Sequence, residues 1–184
     1  MTGTGVLRAE HRAITKMLQA AAACAAELEN GRPGEAETLL KALDFFKNFT
    51  DRCHHKKEED LLFPLLIEKG TPKEGGPVAV MLAEHVQGRN YIKEIDLALE
   101  KLKGGGGDSR YLADTVRSYV SLLESHIEKE NGTLFQFAEG VLSQEEQADL
   151  YERFEQLERD EIGEGVHERY HQMIHELAER YGLK

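Results

Sequence analysis

The sequence RCHHKKEEDLLFP (residues 52–64) places two histidines ahead of two glutamates in a segment whose apolar residues have helical spacing. Residues three, four or seven positions apart lie on one face of an α-helix. By this spacing, His54 and Glu58 continue the apolar stripe of the segment, whereas His55 and Glu59 share a face with polar residues. We therefore expect His54 and Glu58 to point into the core, and His55 and Glu59 to be solvated.

A second copy of this pattern supports the same choice, since residues 126–135 (HIEKENGTLF) repeat residues 54–63 (HHKKEEDLLF). The two copies share the first histidine, a lysine, the first glutamate and the Leu-Phe pair. The repeat thus matches His54 with His126 and Glu58 with Glu130. Such internal self-similarity indicates that both copies are used in the same way.

The apolar spacing is helical along almost the whole chain, and strand-like alternation is absent. The predicted helices, separated by glycine- and proline-rich turns, span about 5–30, 35–69, 77–103, 108–139, 144–160 and 165–182. Long helices with short connections are typical of an antiparallel up-down-up-down four-helix bundle. We predict an all-α chain of one domain (1–184), in which 1–140 form the bundle and 141–184 form a C-terminal extension of two shorter helices.

The composition excludes several classes of protein. A formal net charge of −11 argues against nucleic-acid binding, which requires clustered Lys and Arg, and no apolar run is long enough to span a membrane. The N-terminus does not have the pattern of a secretory signal, so we expect a cytoplasmic location. Cys24 and Cys53 are expected to be reduced thiols.

A second short repeat, AEH, occurs at residues 9–11 and 83–85 and places His11 and His85 on the apolar stripes of the first and third helices. Every helix of the bundle then points a histidine inward, and two helices add a glutamate. Unpaired charge inside a bundle is costly unless a cation neutralises it. Imidazole and carboxylate together suit divalent iron, manganese or zinc, so the pattern predicts a site for two metal ions.

Through the motifs EHR, HHKKEEDLLFP, AEHVQGR and HIEKENGTLF, residues 5–140 resemble the hemerythrin-like family, also called HHE cation-binding domains. The resemblance implies a non-heme di-iron centre with an oxo or hydroxo bridge, although manganese and zinc stay open on ligand type. It implies histidine ligands and bridging glutamates at the matching positions, namely His11, His54, His85 and His126, with Glu58 and Glu130.

The sequence departs from the oxygen carriers of that family. They have a second histidine one turn after the third-helix ligand, where this chain has Arg89. At the bridging position of the fourth helix the chain offers Glu130 four residues after His126, with Asn131 at the fifth. A site with one histidine fewer than the oxygen carriers have argues against reversible oxygen carriage.

The last predicted helix offers a candidate for the missing ligand. His167 borders its apolar stripe, and we include it among the candidate metal ligands. The alternatives are a polar surface helix, or a separate surface metal site formed with His171 and His175.

The predicted function is that of a di-iron protein that handles or senses dioxygen, peroxide or nitric oxide as its small-molecule ligand. The alternatives are a factor that repairs iron-sulfur or other iron centres or delivers iron, and a structural module that responds to iron. The sequence leaves open whether the chain is an enzyme, and whether it is a monomer or a homodimer.

Overall fold

The computed structural model describes residues 2–32, 35–163 and 165–183, and within these ranges the chain is helical without any β-strand. Six helices follow one another through this part of the chain: α1 (Gly3–Glu29), α2 (35–68), α3 (Pro77–Lys103), α4 (109–141), α5 (Gln144–Glu161) and α6 (Val166–Tyr181). The all-α prediction is confirmed, and each predicted boundary lies within two residues of the observed one.

Local signals in the sequence explain where several helices begin. The Asp108 side chain accepts hydrogen bonds from the first backbone N–H groups of α4. Ser143 and Glu146 form a capping box at the start of α5. Side chains that satisfy these unpaired N–H groups stabilise a helix by about 1 kcal/mol.

The two copies of the longer repeat, residues 54–63 and 126–135, lie on helices that are partly π-helical. In α2 the π-helical segments are Phe46–His55 and Glu58–Leu62, and in α4 the segment is Glu130–Leu134. A π-helix makes i→i+5 hydrogen bonds, so each turn holds more residues and neighbours are rotated less from one another. Two consecutive side chains can then face the same side of the helix.

The four long helices pack in a closed ring, in which α1 contacts α2, α2 contacts α3, α3 contacts α4 and α4 contacts α1. The short helices α5 and α6 lie against α1, and α5 also contacts the π-helical part of α2. The chain is therefore a helical bundle with two added helices on one side, and the antiparallel up-down order stays a prediction.

The apolar core has two parts, one on each side of a layer of polar side chains. One part contains Ile14 and Phe46, and the other contains Leu7 and Leu62. His11 lies between Leu7 and Ile14 along α1, so a buried polar layer divides the core.

Two further predictions from composition can be compared with the structure. Cys24 and Cys53 form no disulfide and are both buried, and burial raises the pKa of each thiol to about 12. None of the helices in the described ranges has the length and apolar character that crossing a membrane requires.

Candidate metal centre

The polar layer contains two groups of buried side chains that share Glu58 and Glu130. In each group the potential ligand atoms lie within 4.8 Å of one another. The first group is His11, His54, Glu58 and Glu130, and the second is Glu58, His85, His126 and Glu130. The structure thus brings together six of the residues that the sequence predicts as ligands.

His55 also belongs to this layer, which the sequence did not predict. It forms a third group with His85 and His126, is only 4% exposed, and stacks on the His85 ring with centroids 3.9 Å apart. The expectation of a solvated His55 is wrong because the segment Phe46–His55 is π-helical, and His54 and His55 both face inward.

Glu59, also expected to be solvated, is bonded within the site instead. Its carboxylate accepts hydrogen bonds from His85 Nδ1 (2.7 Å) and from Arg89 (2.6 Å), and only 25% of its side chain is exposed. The second glutamate of the motif therefore orients a histidine, while the first lies at the centre of the cluster.

Every histidine of the layer is held through Nδ1 by an oxygen of a neighbouring side chain. The pairs are His11 with Asn131 (3.0 Å), His54 with Glu10 (2.8 Å), His55 with Asp51 (3.4 Å), His85 with Glu59 (2.7 Å) and His126 with Glu84 (2.9 Å). An Nδ1–H that donates to a carboxylate or amide oxygen fixes the ring and leaves the Nε2 lone pair free. This arrangement is typical of metal-binding histidines.

The contacts around these rings explain why the sequence repeats the lysine. Glu10 of the first AEH accepts a hydrogen bond from Lys57 as well as from His54. Its counterpart in the second AEH, Glu84, makes the same two contacts with Lys129 and His126. Each glutamate bonds a histidine of a neighbouring helix, not the one next to it in sequence.

The repeated phenylalanines cover the site symmetrically. Phe135 stacks on His11 with ring centroids 5.3 Å apart, and Phe63 stacks on His85 at 5.9 Å. Both phenylalanines are fully buried. They close the layer on the same side and keep water from the imidazoles.

The centre of the layer contains polar atoms that lack partners. Nine buried side-chain nitrogen or oxygen atoms of the described residues make no hydrogen bond, and six belong to His11, His55, Glu58 and Glu130. Buried polar groups are otherwise almost always hydrogen-bonded, because an unpaired one costs about 1–3 kcal/mol. Such a concentration at one point fits bound cations.

The spacing of these atoms fits the same interpretation. Nε2 of His11 and of His126 lie 3.2 and 3.3 Å from Glu130, and Nε2 of His85 lies 3.5 Å from Glu58. Two atoms that each bind one ion at about 2.1 Å lie about 3 Å apart when the bonds are perpendicular. The side chains present therefore fit a metal centre.

The electrostatics of the layer favour a cation as well. Burial lowers the pKa of His54 to about 4 in spite of its bond to Glu10, and burial also lowers the pKa of His55 and of His126. These rings are therefore neutral at pH 7, which is the form that binds metal. Burial, together with the Glu130 carboxylate, raises the pKa of Glu58 well above its ordinary value, and a cation between the two would relieve their repulsion.

Comparison with known families agrees with this geometry. The family model for the hemerythrin HHE cation binding domain matches residues 2–138, about three quarters of the chain. The chain belongs to the hemerythrin HHE family. Comparison with curated proteins and with solved structures found no match. The resemblance read from the sequence is therefore confirmed, and the hemerythrin match ends before α5 and α6.

The structure of this hemerythrin-family chain also changes the number of histidines at the site. Arg89 stands where the oxygen carriers have a histidine, and its guanidinium bonds Asp51 (2.8 Å) and Glu59 (2.6 Å). His55, from α2, adds a fifth imidazole to the layer. The buried layer therefore contains one more imidazole than the sequence analysis counted.

The structure does not bring His167 into the cluster. Its Nδ1 donates to Glu158 (2.8 Å), and its Nε2 lies 2.8 Å from Nε2 of His171. Lys57 bonds Glu158 on one side and Glu10 on the other, so three side chains, Glu158, Lys57 and Glu10, separate His167 from His54. The reason is that Glu158 of α5 and Lys57 of α2 lie between His167 and Glu10, an arrangement that the sequence pattern did not reveal.

Proposed function

We propose that this chain is a non-heme di-iron protein of the hemerythrin-like type that handles or senses dioxygen, peroxide or nitric oxide. The observation that carries this proposal is that two groups of buried ligands share Glu58 and Glu130, whose four carboxylate oxygens accept no hydrogen bond. A carboxylate shared by two groups can bridge two ions. Two cations would neutralise the buried charge that the fold otherwise leaves unpaired.

The two halves of the centre differ in the number of donors. His11 and His54 form one group of four with the shared glutamates, whereas His85 and His126 form a group of four with the same glutamates and a further group with His55. Non-heme iron sites that react with small molecules keep positions free of protein ligands. We assign the free position to the half that contains His11 and His54.

Iron, when bound, would supply one-electron redox chemistry and a place for a small molecule. The residues of this chain do the rest. Phe63 and Phe135 exclude water, while Glu10 and Glu84 fix the rings of His54 and His126. A dry pocket with fixed imidazoles favours a small neutral molecule over water and larger solutes.

Metal analysis of the purified protein, combined with optical spectra before and after dioxygen, peroxide and nitric oxide, tests this proposal. We expect about two iron ions per chain and a spectrum that changes with at least one of these molecules. His54→Ala should lower the iron content, and Glu128→Gln, at an exposed site on α4, should not change it.

The same measurements identify the alternatives. Bound manganese or zinc without iron contradicts the di-iron assignment. If the purified protein holds no metal, and His54→Ala does not change its metal content, the proposal as a whole is wrong. A stable, reversible adduct with dioxygen would identify carriage, whereas consumption of peroxide or nitric oxide would identify turnover.

A further inference from the structure

A cavity of about 310 Å³ lies between α2, α3 and α4, next to the metal centre. Apolar and aromatic groups line it, including Phe46, Ile92 and Tyr119, and His55 also belongs to the lining. This volume is at the lower end of the range for small-molecule sites, which are mostly apolar with a few polar groups. We propose that the cavity binds a small organic anion with an apolar body.

The charge of the lining specifies an anion. Four cationic side chains line the cavity against one acidic one, Asp51: they are Lys47, Arg52, Arg89 and Lys93. This cluster occurs in a chain whose formal net charge is −11. Lys47, Arg52 and Arg89 are paired with carboxylates, so among the described residues the unpaired positive charge at the cavity is that of Lys93. An unpaired cation beside an apolar cavity attracts anions.

Lys93 is the cation best placed to bind a ligand. Lys47 is paired with Asp96, and Arg89 is bonded to Asp51 and Glu59. Lys93 is exposed and makes no ion pair with any residue that the structure describes. An anionic group that enters the cavity can therefore pair with Lys93 without breaking an existing ion pair.

Gly88 in the middle of α3 keeps the cavity open. A glycine within a helix destabilises it by about 1 kcal/mol relative to alanine. A Cβ at this position would lie 3.6 Å from Leu123 and 3.8 Å from Tyr119, which are ordinary contacts, so helix packing does not require a glycine. A side chain here would instead take up space in the cavity, beside Tyr119.

The cavity is also connected to the candidate ligands. Arg89 on its wall bonds Asp51 (2.8 Å), which holds His55, and Glu59 (2.6 Å), which holds His85. An anion that competes for Arg89 would alter the groups that orient two imidazoles. This link rests on the proposed function, whereas binding in the cavity does not.

Calorimetric titration with benzoate tests the inference, with benzamide as the uncharged probe and acetate as the anion without an apolar body. The titrations use the purified protein and the same protein after removal of metal. We expect saturable binding of one benzoate per chain in both states, and at least tenfold weaker binding of the other two probes. Equal binding of all three probes, or no saturable binding of benzoate, would overturn the proposal.

Charge reversal at Lys93 provides the matched test. Lys93→Glu should weaken benzoate binding at least tenfold, whereas Lys101→Glu, on the same helix but outside the cavity, should leave it unchanged. Gly88→Leu should also weaken binding, with circular dichroism confirming that the helices are retained. Unchanged affinity in Lys93→Glu would contradict the proposed site.

These titrations separate the inference from the proposed function. Benzoate binding by a protein that holds no iron would support the cavity and contradict only the di-iron proposal. A di-iron protein that does not bind benzoate would contradict only the cavity. Binding that requires bound metal and is insensitive to Lys93→Glu would mean that benzoate acts as a metal ligand, and would overturn the cavity as its site.

Discussion

The two halves of the candidate metal centre are built to one plan and differ in how they are supported. In each half a glutamate from an AEH motif bonds a histidine and a lysine. In the first half Glu10 bonds His54 and Lys57. In the second half Glu84 bonds His126 and Lys129. In the first half, Lys57 is fully buried and also bonds Glu158 of α5. In the second half, Lys129 is 40% exposed.

The donors differ as well. The repeat places His55 opposite Ile127, so only the second half gains a third imidazole. A repeated sequence thus supplies two similar binding sites, and single substitutions make them unequal. The first half is tied to the C-terminal helices and has fewer donors, whereas the second half has more donors and faces the cavity beside Arg89.

The largest expected effect comes from removing a group that both halves share. Glu58→Gln keeps the size of the side chain but removes the charge that would bridge two ions. We expect the metal content to fall from about two ions per chain to near zero, as measured by elemental analysis. Loss of only one ion would indicate that Glu58 serves a single half.

The two AEH glutamates test the difference in support. Glu10→Gln removes a charge partner of the buried Lys57 and should lower the free energy of unfolding by about 3 kcal/mol. Glu84 pairs with the partly exposed Lys129, so Glu84→Gln should lower the free energy of unfolding by less than about 1 kcal/mol. Chemical denaturation of the metal-free proteins measures both, and equal losses would contradict the asymmetry.

The pH dependence of the metal-free protein tests the burial of the imidazoles. His54 has a pKa of about 4 in the folded chain, against about 6.5 in the unfolded chain. Between these values the unfolded chain binds more protons, so the free energy of unfolding should fall as the pH is lowered from 7 to 4. His54 alone should account for about 3 kcal/mol of this loss.

Denaturation at a series of pH values provides this measurement. His54→Gln is the control, because it removes the contribution of His54 to the change of the free energy of unfolding with pH. His55 and His126 of the second half act in the same direction, because burial lowers the pKa of both. A free energy of unfolding that does not change over this range would show that the rings are not buried as neutral imidazoles.

The smallest expected effect compares the two candidates for a fifth histidine. His55→Ala removes a donor from the second half only, and we expect it to lower metal content from about two ions per chain toward one. His167→Ala, at a ring that bonds Glu158 and not the cluster, should leave metal content unchanged. If elemental analysis shows that His167→Ala loses metal and His55→Ala does not, His167 and not His55 is the metal ligand.

Much of this molecule could be predicted from its sequence. Helical spacing and turn residues located all six helices to within two residues, because these signals are local. The internal repeat selected His54, Glu58, His126 and Glu130, because two copies of a site must keep the same chemistry. The lysine it also kept, Lys57, proved to be a fully buried partner of Glu10.

His55 and His167 show where the sequence was insufficient. A fixed α-helical period assigned His55 to the solvated face, and nothing local marks Phe46–His55 as π-helical. The repeat did hold a signal, since the counterpart of His55 is Ile127, an apolar residue that is buried. His167 depends on how α5 and α6 pack against the bundle, and such long-range contacts leave no local pattern.

We propose that two metal ions share Glu58 and Glu130 and have unequal sets of histidines. Crystals of the iron-loaded protein, measured above and below the iron absorption edge, test it most directly. We expect two anomalous peaks between these glutamates, one beside His11 and His54 and the other beside His55, His85 and His126. A single peak, or peaks located elsewhere, would contradict it.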